Sequence, residues 1–105
     1  MTFDTPLQPT DRRTLFDRWR EQNPGAWDYI VRTALEYWRR GIKRISTKFL
    51  VEKCRYDYPH KTKGVPFTDG NGKTHVYGIN NNDTAVMARV LLEEYPDMPI
   101  ETRGA

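Results

Sequence analysis

Between Pro24 and Gly41, the residues Trp27, Ile30, Val31, Ala34, Leu35 and Trp38 recur at steps of three and four. That spacing gathers them on one broad face of a helix, a face that must be buried, so the chain has to fold by packing helices around this segment. Its ends are marked. The Asn23 side chain can accept hydrogen bonds from free helix amides, Pro24 has no amide to leave unpaired in the first turn, and Gly41 supplies a left-handed cap. On the opposite face Asp28, Arg32, Glu36 and Arg40 alternate in sign at intervals of four, as solvated ion pairs do.

The flanking segments extend the pattern. Thr10 or Asp11 caps a first helix to about Gln22, with Leu15, Phe16 and Trp19 on its apolar face and Arg12, Arg13, Asp17, Arg18 and Arg20 largely in water. After Gly41-Ile42-Lys43-Arg44-Ile45, Ser46 or Thr47 caps a third helix that ends near Tyr58, ahead of Pro59. Val65-Pro66-Phe67-Thr68 and Lys73 to Ile79 then flank Asp69-Gly70-Asn71-Gly72, a composition suited to the positive backbone dihedrals of a hairpin loop. Asn80, Asn81, Asn82 and Asp83 offer caps for a fourth helix carrying Val86, Met87, Val90 and Leu91, which Pro96 closes. The fold expected is α+β, mainly α: a winged-helix-like domain over residues 10–96, with three helices, a β-hairpin wing and a C-terminal helix. Residues 1–9 form a flexible N-terminus and residues 97–105 a C-terminal tail.

With 105 residues the chain can bury one core but not two. No apolar run approaches the roughly 20 residues that span a bilayer. The start, Met1-Thr2-Phe3-Asp4-Thr5-Pro6, lacks the basic and apolar stretches of a secretion signal, so a cytoplasmic protein without a membrane partner is expected. Cys54 is the lone cysteine, which excludes an intramolecular disulfide and a thiolate metal cluster.

The residues Asn23-Pro24, Arg40-Gly41, Ser46-Thr47-Lys48, Glu52-Lys53 with Arg55, Ile79-Asn80-Asn81-Asn82, Ala88-Arg89, Pro96 and Glu101-Thr102-Arg103 form a pattern. Over about residues 16 to 103 it resembles a group of small phage and prophage proteins of unassigned activity. The triple Asn and the terminal Glu-Thr-Arg are its most specific part. The resemblance implies a phage or prophage setting and an α-plus-hairpin domain, and it carries no catalytic or binding residue across. The hairpin here, residues 61 to 77, is longer than the group's pattern suggests.

The net charge of +3 is unevenly spread. From Arg39 to Lys73 the segment carries +7 and the rest −4, with Asp83, Glu93, Glu94, Asp97 and Glu101 near the C-terminal end. With Leu50 at the centre of the third helix's buried face, Cys54, Asp57 and Thr47 fall near that centre and Phe49 and Val51 flank it. Lys48, Glu52 and Arg55 then form an outward stripe with Tyr56 alongside, placed to face a major groove. Arg55 suits guanine, Lys48 guanine or phosphate, and Glu52 cytosine; the plain alternative is that Glu52 pairs with Lys48 and Arg55. Arg40, Lys43 and Arg44 bracket the preceding turn, where phosphates would pass. Lys61, Lys63, Lys73 and His75 place positive charge on the hairpin, as a wing on phosphates or as a solubilised edge strand. Thr47 completes the set of candidate DNA contacts.

Trp19, Trp27 and Trp38 all fall on apolar helical faces and are expected in the core rather than as stacking platforms. His60, Asp57 and Lys61 cluster around Pro59 without metal-ligand spacing, and no nucleophile motif or phosphate-cradling loop is present, so neither an enzyme nor a cofactor is expected. The pattern predicts double-stranded DNA as partner. The alternative is a host protein bound, and inhibited, through the basic face. The fourth helix either completes the core or packs on a second copy, and dimerisation through it or the first helix would create a two-fold site.

Overall fold

The computed structural model describes residues 1–80 and 83–101. Four helices and one antiparallel hairpin follow in the order α1 (Pro9–Gln22), α2 (Pro24–Arg39), α3 (Thr47–Asp57), β1 (Val65–Thr68), β2 (Thr74–Tyr77) and α4 (Thr84–Glu94). The fold is thus α+β and mainly helical.

Helix α2 packs between α1 and α3. Its core face is the narrow line Ala26, Ile30 and Ala34, all fully buried, while Trp27, Val31, Leu35 and Trp38 are only partly buried against the core. The two outer tryptophans are therefore less enclosed than their periodicity suggests, and Trp19 alone of the three is fully buried. Small residues on the core face let neighbouring helices approach closely, and the larger side chains then fall on the margin of the contact. Helix α2 ends in a Schellman motif: Gly41, at φ 85, donates its N–H to the Trp38 carbonyl at 2.9 Å, and Ile42 donates to Tyr37 at 3.1 Å.

Pro9 opens α1, one residue ahead of the expected cap, and Asp11 reaches back to accept the Gln8 N–H at 2.9 Å. Leu15, Phe16 and Trp19 are fully buried, as are Met87 and Leu91 of α4. The buried residues of α4 complete this core. The arginines of α1 are less solvated than expected because α4 brings two glutamates to them. Arg13 holds Glu93 through two hydrogen bonds at 2.9 Å. Arg20 reaches Glu94 at 3.4 Å and lies over the rings of Phe16 and Trp27, so its stem covers apolar surface.

The hairpin pairs Val65 with Tyr77 at its base and Thr68 with Thr74 near its tip. Its turn is a three-residue loop closed by Gly72, at φ 81, with Gly72 N–H on the Asp69 carbonyl at 3.0 Å and Asp69 N–H on the Lys73 carbonyl at 2.9 Å. One glycine of the predicted pair thus takes the positive dihedral.

Among the described residues, both the first residues and those around Met98 to Ile100 are docked on the fold. Thr2 forms a parallel bridge with Thr68, Phe3 N–H donates to the Thr68 carbonyl at 2.7 Å, and the Phe3 and Phe67 rings meet edge-on. The start of the chain thereby covers the outer edge of β1. Near the other end Met98 is buried and Ile100 bridges Ile45. Asn81, Asn82 and Thr102 to Ala105, among them part of the most specific pattern of the sequence, lie outside the described residues.

Candidate nucleic-acid interface

Ser46 caps α3 by accepting the Phe49 N–H at 3.2 Å, and Tyr58 ends it in the extended conformation that Pro59 imposes. The buried residues are Thr47, Leu50, Val51 and Cys54. That face is rotated from the one expected, which moves Asp57 outward, while Thr47 stays on the buried side as its helical position implies. Thr47 is only 4% exposed and cannot touch a nucleic acid. Asp57 lies at the surface, held by Lys53 at 2.9 Å.

Rotation of the face brings out an aromatic pair. Phe49 is 46% exposed and Tyr56 76%, and at a separation of seven they share one line along the helix. Phe49 leans on Tyr37, and the Arg55 guanidinium lies 5.9 Å from the Tyr56 ring centre. Lys48 and Arg55, also seven apart and both exposed, form a parallel line beside the aromatic one. Glu52 is half-buried between them and forms no ion pair among the described residues, so the expected Lys48–Glu52–Arg55 pairing is absent there.

The basic residues divide into two groups. Arg13, Arg20, Arg32, Arg39, Arg40, Arg44 and Lys53 all hold carboxylates. Two of these are site candidates: Arg40 binds Glu36 at 3.3 Å, and Arg44 binds Glu101 at 3.3 Å. Arg44, which lies outside any helix, therefore has an intramolecular reason for its charge. Arg12, Arg18, Lys43, Lys48, Arg55, Lys61, Lys63, Lys73 and Arg89 form no ion pair among the described residues.

Four of that second group lie along one flank. Lys43 precedes the start of α3, Lys48 and Arg55 run along it, and Arg55 joins Lys61 and His60 in a groove of about 540 Å³ between the end of α3 and the base of the hairpin. Tyr58 and Ile79 also line this groove, and His60 packs edge-on against Tyr58. With Asp57 turned to Lys53, the carboxylate does not join His60 and Lys61 in a catalytic group.

The residue that fixes this corner is Asn23, buried at the junction of α1 and α2. Its side chain accepts the Lys63 N–H at 2.6 Å and donates to the Lys63 carbonyl and the Trp19 carbonyl, each at 2.9 Å. It makes no side-chain cap to α2. The capping role read from the sequence is thus replaced by a clamp on the strand leading into the hairpin, a long-range role for which the sequence carries no local signal.

The hairpin tip is less basic than expected. His75 is half-buried, bound to Asp69 at 2.7 Å and stacked on Phe67, so its imidazole is engaged in the turn. The His75 contact, with backbone N–H groups of Lys73 and Asn71, holds the Asp69 carboxyl below its ordinary value. Lys73 stays exposed but stands roughly 13 Å of paired strand from the base, with the Asp4 and Thr5 backbone against neighbouring Gly70.

Among the described residues no helix is long and apolar enough to cross a membrane. No protein-family model, curated protein or solved structure matches the chain.

Proposed function

We propose that this chain binds double-stranded DNA, in the phage or prophage setting its sequence resembles, with α3 in the major groove and the base of the hairpin against the flanking backbone. The observation that carries the reading is the segregation of charge: carboxylates neutralise most arginines on the other faces, and the flank Lys43, Lys48, Arg55 and Lys61, with exposed Lys63 two residues further along the chain, is left for an external polyanion. An α-helix, about 10–12 Å across with its side chains, fits a groove about 12 Å wide. Arg55 is placed for a base edge or a phosphate and Lys43, Lys61 and Lys63 for phosphates, while Arg40 and Arg44 would have to exchange weak exposed ion pairs for phosphate. The arrangement is winged-helix-like in element order, with a link from Arg40 to Ser46 longer than the roughly three or four residues of a tight helix-turn-helix.

The test is fluorescence anisotropy with a labelled duplex. Arg55→Ala is expected to cost about 1–3 kcal/mol on a preferred sequence, and Lys61→Ala to weaken binding to all sequences alike. Arg18→Ala, on the exposed side of α1, should leave binding unchanged. Equal affinity for all four proteins would refute the reading.

The exposed pair Phe49 and Tyr56 favours a second reading, a protein partner seated on the same face of α3, since aromatic rings flanked by arginine make interface anchors. Binding of that kind would survive moderate salt, whereas DNA binding would not.

A further inference from the structure

We infer that a second copy of the chain docks antiparallel on the outer face of α2. This surface is distinct from the basic flank: α3 packs against α2 through the Tyr37–Phe49 and Tyr29–Tyr58 ring contacts, whereas Val31, Leu35 and Trp38 fall on another side of the helix. Leu35 and Trp38 are partly buried and floor a groove of about 610 Å³ walled by Arg32, Glu36 and Arg39.

The rim of that groove identifies the occupant. Arg32, Glu36 and Arg39 of the groove wall, and Asp28 one turn earlier, lie to one side of the apolar strip at about 100° per residue, in the charge order minus, plus, minus, plus along the chain. Read in the reverse direction the order is plus, minus, plus, minus. A two-fold axis level with Ala34 therefore sets Arg32 against the second copy's Glu36, and Asp28 against its Arg39, with each contact made twice. A parallel two-fold pairing would set this edge against the opposite, uncharged edge of the second copy's strip, so the rim charges would meet no partner. An isologous antiparallel pairing is thus the one arrangement of two such helices in which both the apolar strip and its rim are complementary. The intrahelical pairs Asp28–Arg32, at 2.9 Å, and half-buried Glu36 with Arg39 and Arg40 lie at the surface, where such pairs cost little to rearrange.

Sedimentation equilibrium on the full chain tests this. The wild type is expected to dimerise in a concentration-dependent manner. Arg32→Glu and Glu36→Arg alone should each weaken the dimer about tenfold, because two exposed contacts become repulsive, and the double reversal should restore it to within about threefold. Leu35→Glu should abolish the dimer while the circular dichroism spectrum remains helical; if Leu35→Glu fails to fold, the charge reversals decide. A wild type that stays monomeric at millimolar concentration, or single reversals that leave the dimer unchanged, would overturn the inference. DNA affinity of the same variants is read separately, so loss of one property does not imply loss of the other.

Discussion

Replacing Asn23 with Ala removes three hydrogen bonds in one step, two to the Lys63 backbone and one to the Trp19 carbonyl. A neutral hydrogen bond contributes about 1 kcal/mol net, and a buried group left without a partner costs about 1–3 kcal/mol. Asn23 is itself 6% exposed, but Lys63 is at the surface, so water can reach part of what is uncovered. The loss should therefore be about 2–3 kcal/mol, a large part of the roughly 5–15 kcal/mol that holds such a domain. Urea unfolding should show a lower midpoint with an unchanged m value. Amide exchange at Lys63 should accelerate beyond what the global loss explains, because the segment leading into β1 is released first. Asn23→Asp should also be destabilising, since it keeps the acceptor for the Lys63 N–H but removes both donors and buries a charge. A loss below about 0.5 kcal/mol in Asn23→Ala, or unchanged exchange at Lys63, would refute the clamp.

Two predictions concern buried titratable groups. Burial raises the Asp83 carboxyl above its ordinary value; it accepts the Asn80 N–H at 3.0 Å through Oδ2, while Oδ1 and the nearby Tyr77 hydroxyl have no hydrogen-bond partner of ordinary geometry among the described residues. A raised carboxyl contributes stability that is complete below the unfolded value near 4 and is lost as pH rises through the folded value. Asp83→Asn should therefore gain on the wild type in thermal melts as pH rises from about 4 to 8, and parallel curves would contradict this. Burial pushes the Cys54 thiol up to about 11, so at pH 8 its native thiolate fraction is about a hundredfold below that of the unfolded chain; labelling by a thiol reagent should be correspondingly slow, and labelling as fast as in urea would show the site to be open.

The features legible in the sequence are the local ones. The strand Val65–Thr68, the Gly41 cap and the apolar faces of α1 and α4 follow from periodicity and turn chemistry, which act within a few residues. What escaped detection depends on distant partners. Arg44 finds Glu101, Asn23 finds Lys63, and Met1 to Phe3 find the edge of β1, each pairing created by the fold and written in no local pattern. The rotation of α3 is an intermediate case. The Lys53–Asp57 spacing of four marks a surface ion pair, and giving that pair to solvent moves Asp57 out of the buried face and Phe49 towards the surface. Thr47 then stays inside, as the geometry of the helix already implied.

The most direct test of the central claim is the dependence of duplex binding on salt, followed by anisotropy at several ionic strengths. If Lys43, Lys48, Arg55, Lys61 and Lys63 meet the DNA backbone, the plot of log K against log salt should have a slope of about −4 to −5, and Lys61→Ala combined with Lys63→Ala should reduce its magnitude by about 2. A flat plot, or a slope that these substitutions leave unchanged, would contradict the account.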